Sequence, residues 1–423
     1  MHEKLDIVVQ EIRKNIQGLR SVMIIGGYAR GEGAIDFSGG EPELYNDFDI
    51  YIVADRCVKD GFLEKLALQC SKLIGKGGLA HPEAFEQRYD RNKFFHVDIR
   101  CLAKKNLKNL LPTIRYYEMK RTAKVLWGED SLVEFPNFQV ADIPLAEGIR
   151  LLMNRMMLLL MSFDTRFVAE PSYASKEEKK IILYYLAKSY LTVAESLLLF
   201  KGFYPFTYQG RAEKFGQIFQ TAYPEIYQKY PDLAQRVLKY AQFKFRPNED
   251  NLDDYLEEWF QCREIIGVAY KKCLGMLLGR NLLNEGWISL HGILKDNLGY
   301  PYFKQYAGIV LSKYHLNDKI FNLMAAKVGQ MYMSCKYFFA LKEALGRTYW
   351  PALSLSDHGL AILRILPLIL YSNGRSNQIN QEMLDLAKKE LKTVYPEFAN
   401  SNWPALKTNW LYAYRVYYLR RFI

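Results

Sequence analysis

The 423-residue sequence has no C-x-x-C pair, no internal repeat of fixed period and no segment identifiable as a base-reading motif. Its six cysteines, Cys57, Cys70, Cys101, Cys262, Cys273 and Cys335, are spaced against a zinc site or a redox pair, which leaves reduced, mostly buried thiols as the expectation. The longest apolar stretches, MMLLLMSF (156–163) and GLAILRILPLILY (359–371), fall short of the roughly 20 residues that a bilayer-spanning helix needs, and Arg364 and Pro367 interrupt the second. The opening MHEKLDIVVQEIRKN alternates charge with apolar residues and lacks the apolar centre of a secretory leader. The expectation is a soluble, cytoplasmic protein with no membrane partner.

Half of the residues are hydrophobic and 14% are aromatic, enough for the chain to fold throughout. The formal charge of +11 favours anionic partners such as nucleotides, nucleic acid or acidic small molecules, without choosing among them.

Along the chain, strand-like runs at 22–25, 48–53 and 95–102 alternate with helical patterns at 3–17 and 60–74, the pattern of a mixed sheet with helices. From Pro144 onward almost everything reads as amphipathic helix, with breakers at 201–211, 246–251 and 372–377, and Asn248 or Asp250 caps the helix that follows the second. The fold class is therefore α+β: an N-terminal mixed sheet with helices, followed by a large all-α region.

The chemistry concentrates in residues 23–56. In a strand, residues i and i+2 share a face, so NDFDIYIV sets Asp47 beside Asp49 while Phe48, Ile50 and Ile52 point into the core. Adjacent carboxylates repel, and a divalent cation such as Mg2+ relieves that repulsion through oxygen ligands. A third carboxylate, Asp98 in FFHVDIRCL, lies on another strand and shares a face with His96 and Arg100. Three carboxylates on two strands suit one or two Mg2+ ions beside a triphosphate. Upstream, Gly26 and Gly27 lack a Cβ and let phosphate approach the backbone.

A hydrophobic strand, Gly-Gly, Asp-x-Asp on a strand and a third Asp on a later strand together resemble the nucleotidyltransferase superfamily related to DNA polymerase beta. GGYARGEG followed by NDFDIYIV is most similar to the minimal and antibiotic-modifying (kanamycin- and streptomycin-type) members, whose versions read like Gly-Ser-x-Ala-Arg-Gly-Glu. YYEMKRTAKVLWGEDSL (116–132) resembles the segment that closes their catalytic domain, and residues 187–215 resemble their helical domain. The resemblance implies a catalytic domain at 1–140, a helical domain at 141–280 that completes the active-site cleft, and a further helical domain of unassigned role at 281–423. It implies that Gly26 and Gly27 hold the terminal phosphates, that Asp47 and Asp49 bind two Mg2+ ions, and that Asp98 completes the ion nearer the acceptor and takes its proton. It places Arg30 and Lys188 near the triphosphate. The stretch AIDFSGGEPELY (34–45) is longer than the compact family pattern, an insertion placed to form a lid or part of the acceptor pocket.

Three functions remain open at this point. One is transfer of AMP from ATP, or of another nucleoside monophosphate from its triphosphate, onto the hydroxyl of a small-molecule acceptor. The second is the same chemistry on a protein or RNA acceptor. The third is a nucleotide-binding scaffold without turnover. His96 reads as a strand residue facing solvent or a carboxylate, and RNKFFH (91–96) matches a ribonuclease-toxin pattern by coincidence. The interleaved basic and aromatic NWLYAYRVYYLRRFI reads as a packed helix through Leu411, Tyr414 and Tyr418, and RVLKYAQFKFR (236–246) as a solvated basic face.

Overall fold

A computed structural model describes residues 2–37, 43–45, 47–78, 96–247, 253–312, 319–346, 348, 350, 358–376, 378–395 and 402–419. The Asn248 and Asp250 caps, Tyr418 and most of RNKFFH lie outside the described residues.

The chain is α+β and divides into two compact units, residues 1–143 with 175–255 and residues 144–174 with 256–422. The first unit opens with α1 (His2–Asn15), β1 (Leu19–Ile24) and the short α2 (Gly26–Arg30). Then come β2 (Ile35–Asp36), β3 (Glu43–Leu44), β4 (Phe48–Ala54), α3 (Asp60–Leu73), β5 (Val97–Ala103), α4 (Ile114–Thr122) and β6 (Lys124–Gly128). The four long strands form a mixed sheet in the order β5-β4-β1-β6, in which only β4 and β5 are parallel. A parallel pair needs a crossover, and α3 supplies it. Within the insertion, β2 pairs antiparallel with β3, Ile35 opposite Leu44 and Asp36 opposite Glu43.

Alternation along β4 assigns its two faces. Phe48, Ile50 and Ile52 join Val8 and Ile12 of α1 and Leu63 and Leu66 of α3 in one core, while Tyr51 and Val53 join Met23, Leu107, Met119 and Phe135 on the other side. Both faces are covered, so the strands are apolar on both sides except where β4 and β5 begin.

In the second unit the chain first forms α5 (Ala146–Ser162) and α6 (Arg166–Ala169). It then returns to the first unit for α7 (Lys176–Leu199), α8 (Tyr208–Ala222), α9 (Pro224–Lys229) and α10 (Leu233–Phe245). The second unit resumes with α11 (Tyr255–Leu278), α12 (Trp287–Asn297), α13 (Gly299–Ser312) and α14 (Lys319–Leu345), and ends with α15 (His358–Ser372), α16 (Gln381–Val394) and α17 (Trp403–Tyr414). Its core buries Trp259, Trp403 and Trp410, whose indole N–H groups donate to the carbonyls of Leu159, Ile369 and Ile362. The C-terminal aromatic segment packs, as its sequence suggests, but through Trp410, Ala413 and Tyr417. Leu411 and Tyr414 are only half-buried. All six cysteines are free, and Cys70, Cys262 and Cys273 are the buried ones.

α7 is held at its start by a capping box between Ser175 and Glu178. It is long and apolar enough to cross a membrane, yet 94% of that window is buried inside the protein, so it is a core helix. The basic run on α10 is not a solvated face throughout: Val237, Tyr240, Ala241 and Lys244 are buried. Buried ion pairs connect these helices to the sheet. Glu118 on α4 accepts from Arg30 (3.1 Å) and from Arg211 of α8, and Arg211 also donates to Glu195 of α7. Burial alone would raise the Glu118 carboxyl, but Arg211 and Arg30 hold it below its ordinary value.

Glu118→Gln keeps the shape and removes the charge, leaving two buried guanidinium groups under-compensated. It should cost about 3 kcal/mol of stability, read as a lower urea midpoint with an unchanged slope. An unchanged midpoint would show that the network is not what ties α4 to α8.

Candidate active site

β1 ends at Ile24, and the Ile25 N–H donates to the Asp49 carbonyl (3.0 Å), so the chain leaves the sheet beside the start of β4. Gly26 follows at φ +71°, and a Cβ there would lie 2.7 Å from Asp49 Oδ2. Glycine is thus required twice, for the left-handed backbone and for the space the carboxylate occupies. A Cβ on Gly27 would lie 3.1 Å from the Glu32 carbonyl oxygen, and the Glu32 N–H donates back to the Gly27 carbonyl (2.7 Å), closing the loop on itself.

In the parallel pairing of β4 with β5, Asp49 stands opposite Asp98, so the two carboxylates lie on one face of neighbouring strands. Asp47 immediately precedes β4, and its Oδ1 is 3.2 Å from His96 Nδ1. Arg100 Nε is 3.1 Å from Asp98 Oδ2. Burial, then the charges of Asp98 and Asp47, push the Asp49 carboxyl up to about 6 against the opposing pull of Arg115 and Arg100. Asp47 and Asp98 therefore both act on Asp49. Among the described residues, no three His, Cys, Asp or Glu side chains are gathered closely enough to form a metal-binding group. The chemistry of the donor set nevertheless fits a hard divalent cation: oxygen atoms only, and a central carboxylate whose negative charge its neighbours oppose.

Arg30 is turned inward. Its guanidinium donates to Glu32 (3.0 Å) and Glu118, lies 4.6 Å from the centre of the Tyr208 ring, and is 2% exposed. Glu32 completes the junction by accepting from the Tyr208 N–H (2.8 Å) and the Gln209 N–H (3.3 Å), a carboxylate at the positive end of α8. Lys188 lies one turn beyond Tyr184 on α7, with its Nζ 4.7 Å from that ring. Tyr184 is buried against Tyr45, and its hydroxyl is pushed well above its ordinary range by burial, then by Tyr208 and Asp47. Lys188 thus lies over a tyrosine whose ionisation Asp47 opposes.

Sequence reasoning did not assign Glu32, Glu118, Tyr184, Tyr208 or Lys244. Glu32 carried a signal, since it is the acidic residue of the GGYARGEG motif, next to its last glycine; the others come near it only through tertiary contacts.

The Asp49 shift fixes a pH dependence. Its folded-state value of about 6 exceeds the ordinary 3.8, so the fold favours the protonated carboxyl and loses stability as pH rises through 6. Asp49→Asn should therefore melt higher than the parent above pH 6. The gap should shrink between pH 6 and 4 and vanish below, as followed by thermal unfolding across that range.

No protein-family model matches the chain, and no curated protein does. Among solved structures, the chain is similar to a spectinomycin adenyltransferase from Enterococcus faecialis, solved with ATP and spectinomycin. The identity is 14%, the TM-score is 0.35, and the match covers 63% of this chain and 99% of that one. A likeness this distant carries none of the functional reading.

Proposed function

We propose that the first unit is a Mg2+-dependent nucleotidyltransferase that moves a nucleoside monophosphate, AMP from ATP, onto the hydroxyl of a small-molecule acceptor and releases pyrophosphate. One observation carries the reading: Asp49 faces Asp98 across two parallel strands beneath a glycine that leaves room for the carboxylate, and its neighbours oppose its ionisation. A strand serving structure alone gains nothing from that arrangement, because holding like charges side by side costs stability.

In this proposal Asp47, Asp49 and Asp98 would hold the metal, which would supply charge neutralisation for the phosphates and the departing oxygen. The acceptor hydroxyl attacks the α-phosphorus in line, the bond to pyrophosphate breaks, and the hydroxyl proton passes to an Asp98 carboxylate oxygen. Arg100 beside Asp98 steadies that carboxylate before the proton arrives. Gly26 and Gly27 let the phosphates approach, and Lys188 contributes positive charge from the helical side. Arg30 acts at one remove, by fixing the glycine loop to α4 through Glu118.

The test is incubation of the protein with labelled ATP, GTP, CTP or UTP and Mg2+ against a cell extract. Label should enter the small-molecule fraction. Asp49→Asn, which keeps its shape and gains stability above pH 6, should reduce that transfer at least about 100-fold. Transfer at the parent rate would overturn the assignment of Asp49, and label confined to protein or RNA would replace the acceptor class.

A further inference from the structure

In the second unit, α14 turns an apolar face to water. Its opposite side is packed: Ala326, Gln330, Ser334, Tyr337, Phe338 and Leu341 are buried, and the Tyr337 hydroxyl donates to the Val394 carbonyl at the end of α16. The outward side presents Ile320, Met324, Val328, Met331, Tyr332 and Phe339, each between 48% and 66% exposed. Leu323 lies at one margin of this face, and Cys335 is exposed within it. Between residues 323 and 339 the exposed charged side chains are Lys327 and Lys336. A helix side that stays in water carries mostly charged and polar residues. At about 200 Å2 for a fully exposed large side chain, the face offers roughly 700–800 Å2 of apolar surface. That exceeds the roughly 300–600 Å2 of the largest patch on a typical monomer, and patches of this size mark interaction sites.

We propose that this face pairs antiparallel with the same face of a second copy of the chain, about a two-fold axis between Gly329 and Gln330. The inference is independent of the proposed nucleotidyl transfer. Its basis is the order of the exposed positions, which reads the same in both directions from that point. Val328 mirrors Met331, Met324 mirrors Cys335, and Ile320 mirrors Phe339. Antiparallel pairing sets each residue opposite its mirror position on the other copy, so apolar meets apolar along about five turns of helix. The lysines fit the same register. Lys327 falls opposite the ring of Tyr332, and the aliphatic stem of Lys336 falls opposite Leu323, so neither ammonium meets another. Two such faces together supply about 1,500 Å2, the size of a standard stable interface. An isologous contact demands this self-complementarity, whereas an unrelated partner or a lipid surface does not.

Sedimentation equilibrium of the full chain in reducing buffer, over roughly 1–50 μM, tests the association. The parent should sediment at twice the chain mass. Val328→Glu places a carboxylate beside the two-fold axis of each copy and should weaken the dimer at least about 100-fold, with the helical circular dichroism of the folded chain retained. The register has its own test. Met324→Cys stands opposite Cys335 of the second copy, so mild oxidation should yield a covalent dimer that reductant dissolves, and the added change Cys335→Ser should abolish it. A parent that stays monomeric throughout, or a dimer that Val328→Glu leaves intact, overturns the proposal. So does a Met324→Cys chain that fails to cross-link, or one whose cross-link survives Cys335→Ser. A monomeric parent that instead binds vesicles of phosphatidylcholine and phosphatidylglycerol, with binding lost in Val328→Glu, replaces the second copy by a membrane surface.

Discussion

Glu118 is the group on which the first unit turns. It projects from α4 and receives guanidinium groups from elements 88 residues before it and 93 residues after it, one on the glycine loop and one on α8. Neither arginine has an exposed route to water, so each depends on its carboxylates for compensation. The consequence is positional. The glycine loop cannot move away from α4, or α8 away from the sheet, without separating charges in a poorly solvated interior, and Glu32 adds a second tie by capping α8 from the same loop. The start of β4, where the Ile25 N–H meets the Asp49 carbonyl, is thereby held close to this tied loop.

Around that frame lie two features that oppose stability. Asp49 is ionised against its neighbours, and Lys244 is buried beside other cations. They have opposite charge. Groups held against their ordinary ionisation in this way are found most often at functional sites, where stability is traded for activity.

The sheet was legible because its cause is local. Alternation in NDFDIYIV fixes which side chains face α1 and α3, and the Gly26 turn follows from a backbone that only glycine adopts readily. The neighbourhood of β4 and β5, which brings Asp98 to Asp49, was expected from the carboxylates themselves, whereas the parallel direction of the pair came only with the structure. The strand β6 was not foreseen, since KVLWG alternates weakly and its residues are exposed or half-buried at the sheet edge. Glu118 and Arg211 gave no sign, being ordinary charges on helices until folding joins them. Lys244 misled, because the basic residues of 236–246 suggest solvent, whereas the apolar stripe through Val237, Tyr240 and Ala241 continues to its position one turn on.

The interleaving of the two units bears on how the protein is made. The ribosome releases the sheet of the first unit, then α5, and only afterwards the helices α7 to α10 that finish that unit. Throughout this interval the apolar segment MMLLLMSF has no core of its own, because its companions in the second unit begin after residue 255. The nascent chain therefore carries a sticky, unfinished helix for about a hundred residues of synthesis, a period of seconds at usual elongation rates.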